Sequence, residues 1–483
     1  MERIWIYSGI ALALWILQRL YNAYTGPLRA LPGPFHTVLT RLPLKLSIIT
    51  GRRIYFIDAL HKAYGPIVRI SPTEVSISSP AEFKEIHRVG SPFLKSEWYS
   101  KFTMGSRPGV FDMRDPKMHA GRRKLFARAF SKSELRREWE GVVREKVRLA
   151  VGKMRGEIQG GGKSDVLKWW TFLATDVSGH LMFGESFDML SVGMKNEYIH
   201  VLESTMKGSG INAELPLVGF IGRHLPIPSI KAMFRASDYL TEYGRRAVTN
   251  SRAASDSTRN IFSGMIHESE KGSDTLTDLD VITEAGNLIV AGSDTTAVTL
   301  TYLVWAVLSS PRLQREIEDE VQALPGDYDD AALEQLPLLN AAIKETLRLY
   351  GAAPGSLPRS VPEGGATFLG HYIPAGMTVS TQSYTIHRDE NIFSNPEAFD
   401  ASRWLPGKEG EGVNQAAFSP FGAGARTCLG IHLAYMELRL AAAEFFRECR
   451  GVTLAPGVSW ETMQPENYFL IAPRGHQCEI MQG

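Results

Sequence analysis

The sequence predicts a mainly α protein with a small β region, built around one unusually long central helix. Two observations carry this. Apolar residues recur at helical spacing over residues 138–155, 166–183, 278–310, 335–350 and 429–448, whereas the β-branched runs 67–70, 75–78 and 378–381 are short. The segment 278–310 is apolar on most faces and would be near 50 Å long at about 1.5 Å per residue, so it should cross the centre of a large domain.

The first element is an apolar run from Ile4 to Leu17, extended past Gln18 and Arg19 by Leu20, Tyr21, Ala23 and Tyr24. Roughly 20 such residues span a bilayer when polar ends snorkel. A cleaved signal peptide has a similar apolar run, but no A-x-A type site follows it, which favours an uncleaved anchor over residues 1–25. Arg3 precedes the run, whereas Arg19, Arg29, Arg41, Lys45, Arg52 and Arg53 follow it, so the positive-inside rule puts the remaining chain in the cytosol. A single-pass protein of the endoplasmic reticulum membrane is the expectation. Leu31-Pro32-Gly33-Pro34 forbids helix and permits a sharp bend, making residues 26–52 a hinge and linker before a catalytic domain at 53–483.

The composition of the 483 residues, 44% hydrophobic and 22% charged, is globular. Lys plus Arg numbers 53 against 52 for Asp plus Glu, so the basic field that nucleic-acid binding needs is absent. Three cysteines, Cys428, Cys449 and Cys478, are too few for a secreted disulfide framework. No internal repeat is evident, and Gly160-Gly161-Gly162 and the polar stretch 251–260 look like surface loops.

The strongest chemical signal is residues 421–430, FGAGARTCLG, ahead of an amphipathic helical run. Its glycines let the backbone turn tightly around whatever Cys428 holds. A cysteine at a helix start is expected to have a lowered thiol pKa, because unpaired N–H groups and the macrodipole favour thiolate. No second Cys or His stands at zinc spacing, and a lone axial thiolate on haem iron is the chemistry that wants one framed sulfur.

This stretch resembles the haem-binding signature of the cytochrome P-450 family, F-x-x-G-x-R-x-C-x-G, at every specified position from Phe421 through Arg426 and Cys428 to Gly430. The resemblance implies the family's fold, with the long helix lying over haem b and Cys428 as the axial iron ligand. Glu345 and Arg348 lie three apart on one helical face, among apolar neighbours that could bury the pair. Residues 396–404 resemble the family's meander, F-x-P-x-R-W, with Ala401 where proline is common; Arg403 would complete a triad with Glu345 and Arg348.

Ala291-Gly292-Ser293-Asp294-Thr295-Thr296 interrupts the apolar run of the long helix. Threonine can satisfy itself on the preceding turn, which is the structural reading. The stretch also resembles the family's A-G-x-D-T-T motif, which implies that Gly292 leaves room for dioxygen, Thr295 hydrogen-bonds it and Asp294 helps deliver protons. By the same resemblance His119, Arg123, Arg359 and Arg426 would hold the haem propionates, as guanidinium forks suit carboxylates. His119 stands where many members have tryptophan, which would make its contact pH-dependent.

Lys124, Arg128, Lys132 and Arg136 recur every four residues, either as a solvated face or as a docking stripe for an acidic redox partner. No dinucleotide fingerprint or spare domain is present, so electrons are expected from NADPH-cytochrome P-450 reductase, with cytochrome b5 as a further donor. By family position, residues 102–113, 202–211, 288–296, 352–357 and 468–470 would enclose a lipophilic substrate. The apolar segments 215–221 and 225–228 either dip into the membrane or pack inside.

Residues 63–69, AYGPIVR, resemble fungal microsomal members that tailor terpenoids, polyketides or alkaloids. The expected activity is hydroxylation or epoxidation using O2. Desaturation, oxidative coupling and rearrangement are the alternatives within the family, and a non-catalytic haem sensor is the alternative outside it.

Overall fold

Thr277 starts the long helix. Its side chain accepts from the Asp280 N–H while the Asp280 carboxylate accepts from the Thr277 N–H, a reciprocal capping box that satisfies two donors a helix start would leave bare. The helix then runs Asp278–Leu308, and from Thr296 to Leu308 every residue is buried. It packs most extensively on Val166–Phe183, then on Pro228–Ala253, Pro337–Tyr350 and Ile431–Glu448, so the apolar run predicted to be central is central. The computed structural model describes residues 2–103, 107–194, 197–253, 260–270, 276–407 and 412–483. Residues 104–106 of the expected pocket wall, the side chains of 202–205, and 254–259 of the polar stretch lie outside that description.

The sheet content is small. The largest sheet has five strands in the order Ile67–Ser71, Glu74–Ile77, Thr378–Thr381, Arg359–Ser360, Leu94–Lys95. Only the pairing of Glu74–Ile77 with Thr378–Thr381 is parallel. Antiparallel pairing sets Lys95 directly opposite Arg359, so two cations share one cross-strand position. Arg69, buried on the first strand, donates to the carbonyls of Leu28 at 2.8 Å and Leu31 at 2.9 Å, which pins the proline-containing segment against the sheet.

Several local expectations change. Gly160 and Gly161 end the helix Glu140–Gly161, and Gly162 at φ 83° is its left-handed cap rather than part of a loop. Residues 251–253 close the helix Pro228–Ala253. Most of the apolar segment 215–221 is helical, Pro216–His224, with Leu217 70% and Phe220 64% exposed, so those side chains point outward instead of packing inside.

The basic stripe is broken. The helix carrying Lys124 ends at Ala127, and Ser131 caps a new one, Lys132–Glu138. Lys132 pairs with Glu334, and Arg136 reaches Asp330 at 2.7 Å and Glu334 at 2.9 Å, so two of the four cations are neutralised by distant acids.

At the N-terminus the helix is Glu2–Thr25, with Trp5, Tyr7, Leu14 and Trp15 exposed. Among the described residues, Asp278–Leu308 is the one helix long and apolar enough to pass a span test, and it is the buried central helix.

Candidate active site

Three backbone hydrogen bonds shape the loop that presents Cys428. The Gly422 N–H bonds the Ser419 carbonyl at 3.0 Å, the Thr427 N–H bonds Gly424 at 3.1 Å, and the Cys428 N–H returns to Phe421 at 2.9 Å. Gly422 and Gly424 sit at φ 71° and 63°, where side chains are strained. A Cβ on Gly424 would also overlap the His87 carbonyl oxygen. Gly424→Ala is therefore expected to destabilise the fold by about 1–3 kcal/mol or more, read as a lowered Tm. An unchanged Tm would contradict the loop geometry.

Cys428 retains accessible surface, unlike Cys449 and Cys478, although protein surrounds it closely. The following helix begins at Ile431, beyond Gly430. The expected lowering of the thiol pKa is not found. Burial raises it, against the Gly430 N–H and Arg123, which both favour the thiolate.

The cations converge. His119 and Arg123 come from the helix Pro116–Ala127, Arg359 from its strand, and Arg426 from the cysteine loop; the three arginines all lie within electrostatic reach of His119. Lys95, which no motif had singled out, is the fifth member, buried opposite Arg359 and held far below its usual pKa by burial and by Arg359 and Arg426. Burial and the same neighbours push the His119 imidazole down to about 3. Burial and Arg359 bring Arg426 down to about 10. The Nε of Arg359 has no partner among the described residues, and Arg426 is anchored by donating to the Met113 carbonyl at 2.6 Å. Such crowding is costly unless an anion joins it.

On the central helix, buried residues give way to an accessible Ala291 and part-accessible Asn287, Asp294 and Thr295, spaced along one face. The Thr295 hydroxyl donates to the Ala291 carbonyl at 2.7 Å, the self-satisfied arrangement. A Cβ on Gly292 would overlap the Ser178 hydroxyl of the neighbouring helix, so the glycine lets the two helices pack with Ser178 as it stands, a reason separate from making room for dioxygen. Behind the motif, Glu437 of the helix Ile431–Glu448 accepts from the Thr296 hydroxyl, and burial pushes its carboxyl up to about 8, so it is mostly protonated at pH 7. Sequence reasoning missed Glu437 because an acid in a helix reads as surface.

The family model described as cytochrome P450, here written P-450, matches residues 32–480. The chain belongs to the cytochrome P-450 family. It is similar to cytochrome P-450 monooxygenase stcB of Emericella nidulans, 41% identical over 476 residues, covering 96% of this chain and 90% of that protein. It is equally similar to cytochrome P-450 monooxygenase aflV of Aspergillus parasiticus, 41% identical over 490 residues, covering 99% and 94%. The crystal structure of the cytochrome P-450DA heme domain superposes with a TM-score of 0.77 at 17% identity, covering 94% of this chain and 98% of that one, which establishes the fold. This P-450 is a monooxygenase, not a non-catalytic haem sensor, and its cofactor is haem b.

The residues present fit that cofactor: one accessible sulfur in a glycine-framed loop, and a cluster of five basic groups that calls for carboxylates. Below the loop, Arg348 donates to both oxygens of Glu345 at 2.7 and 2.9 Å, and Arg403 Nε donates to Glu345 Oε1 at 2.9 Å. Both Glu345 and Arg348 are buried. Two further donors, Trp404 Nε1 at 2.8 Å and the Asp400 N–H at 2.9 Å, complete the carboxylate. Arg348 spends its remaining N–H groups on the carbonyls of His387, Pro396 and Ala398. Where proline is common, Ala401 is buried in a short 3-10 turn whose start the Asp400 side chain caps, so the loop is fixed by other means.

Proposed function

We propose that this monooxygenase is anchored in the endoplasmic reticulum membrane with its catalytic domain in the cytosol, and hydroxylates or epoxidises a lipophilic fungal secondary metabolite of terpenoid, polyketide or alkaloid class. The observation that carries the reading is the juxtaposition of the Cys428 loop with the cluster of Lys95, His119, Arg123, Arg359 and Arg426. Relatives named as monooxygenases in two fungi support it.

Haem b, when bound, supplies the iron that activates dioxygen and passes one oxygen atom to a carbon centre. Cys428 would hold the iron through its sulfur. Arg123, Arg359 and Arg426, with Lys95, would clamp the propionates, and His119 would offer an N–H. Thr295 and Asp294 would manage the proton: the Thr295 hydroxyl has lone pairs free to accept while its own proton rests on Ala291. Glu345, Arg348 and Arg403 would act beneath the site, holding the meander that supports the cysteine loop.

Electrons would come from NADPH-cytochrome P-450 reductase, with cytochrome b5 as a second donor. The helix Glu2–Thr25 has 24 residues, about 36 Å at 1.5 Å per residue, enough to cross the bilayer core. Exposed Leu217, Phe220 and Ile221, with Leu42 and Leu46 on the helix Leu42–Ile49, supply a second apolar contact with the membrane.

The test is turnover with reductase, NADPH and labelled O2 across candidate metabolites, reading incorporation of one labelled oxygen. Thr295→Ala is expected to keep haem and NADPH consumption, while product per NADPH falls at least about tenfold and hydrogen peroxide makes up the difference. Full coupling in that variant would remove Thr295 from the proton path.

A further inference from the structure

A carboxylate outside the family motifs holds the pocket wall. Glu284 lies on the central helix nearly three turns before Asp294 and is fully buried. Both of its oxygens accept from the Val110 N–H, at 2.9 and 3.1 Å, and Arg122 donates to it at 2.7 Å. Arg122 also reaches Asp280 at 3.0 Å, so its fork is held from two turns of the same helix. Arg107, in the same loop as Val110, lies 3.5 Å from Asp280.

The wall segment is correspondingly close. A Cβ on Gly109 would overlap the Asn287 side-chain amide and come within 3.2 Å of a Glu284 oxygen, so a side chain here would have to displace Asn287 and press on Glu284. Asp112 closes the turn by accepting from the Gly109 N–H at 2.8 Å and from Thr103 at 3.1 Å. From the opposite side, Lys95 donates to the Phe111 carbonyl and Arg426 to that of Met113. Residues 109–113 are thus suspended between Glu284 and two members of the basic cluster.

We infer that Glu284 is a positioning residue for substrate recognition, setting through Val110 and Arg122 the wall that residues 109–113 present to the pocket. The inference rests on the haem-thiolate reading of the site and on residues 109–113 facing the substrate. Glu284 itself touches neither haem nor substrate in this assignment. Its influence is on the shape of the space, and therefore on large ligands more than small ones.

Two iron-binding probes separate these roles. Imidazole is small and reports the iron alone, whereas miconazole must also fit the pocket. Glu284→Gln keeps the shape and one acceptor but removes the charge that Arg122 and the Val110 N–H bind. It is expected to weaken miconazole about tenfold, the scale of one charge-assisted hydrogen bond, with imidazole affinity and haem content unchanged.

Burial raises the Glu284 carboxyl to about 7, against the opposing pull of Arg122 and with Asp112 adding to the rise; Asp280 and Arg107 stand behind them. Protonation at low pH therefore makes the wild type resemble the variant, and the miconazole affinity ratio should shrink toward one below about pH 6. Gly109→Ala perturbs the same contact from the wall side and is expected to reproduce the selective loss for miconazole. Equal affinities for miconazole in wild type and both variants, or equal losses for both probes, would overturn the inference. Absence of any imidazole shift in the wild type would instead defeat the haem reading beneath it.

Discussion

Cys428→Ala abolishes the strongly red-shifted Soret band that the reduced, carbon monoxide-treated wild type is expected to give, and Cys449→Ala leaves it intact. The contrast follows from placement. Cys449 is buried in the core with its thiol pushed up to about 12, and Cys478 is buried among apolar side chains with its thiol raised further still. Neither can offer a thiolate to a cofactor, because burial among apolar groups disfavours the charged sulfur. Burial raises the Cys428 thiol as well, yet it alone among the three is accessible, and Arg123 and the Gly430 N–H favour the anion. Iron binding would displace the proton. A histidine-type band in well-folded wild type would overturn the axial assignment.

The second large effect is expected at Glu345. Glu345→Gln leaves Arg348 and Arg403 buried without their shared counter-charge, and at least one of five donors then faces an amide nitrogen. Breaking a buried pair by removing one partner costs about 3–5 kcal/mol, a large share of the roughly 5–15 kcal/mol that holds a domain folded. The measurements are chemical denaturation and haem content per chain. Both should fall, haem content because the meander and the cysteine loop lose their common support. A variant with wild-type stability would show that this carboxylate is dispensable.

How much of the site was legible in the sequence depended on the range of each interaction. The Cys428 loop is made by neighbours in the chain, so its glycine spacing announced both the turn and the residue displayed. The long helix was equally plain, because apolarity on most faces over so many residues has no other soluble solution. Glu345 and Arg348 could be paired from their spacing alone, but the partners that bury and saturate them, at Asp400, Arg403 and Trp404, come from a segment more than fifty residues away.

Misreadings arose where local pattern and long-range contact diverge. Lys124, Arg128, Lys132 and Arg136 have helical spacing, yet Ser131 caps a fresh helix between them and distant Asp330 and Glu334 neutralise two of the four. Proximity to a helix start suggested an acidic thiol, while the surrounding protein imposes the opposite shift. Lys95 had no motif to announce it, since its role comes from strand pairing with Arg359.

By itself the sequence determined the class of the fold, the one cysteine framed by a haem-binding signature, and the kind of chemistry expected there, because periodicity and short motifs are properties of consecutive residues. Tertiary structure alone decided which charges are neutralised and which converge, what Gly292 and Gly109 pack against, and which carboxylates, Glu284 on the central helix and Glu437 behind it, are buried. Those facts depend on the desolvation and close approach of groups far apart in the chain, and no local spacing encodes either.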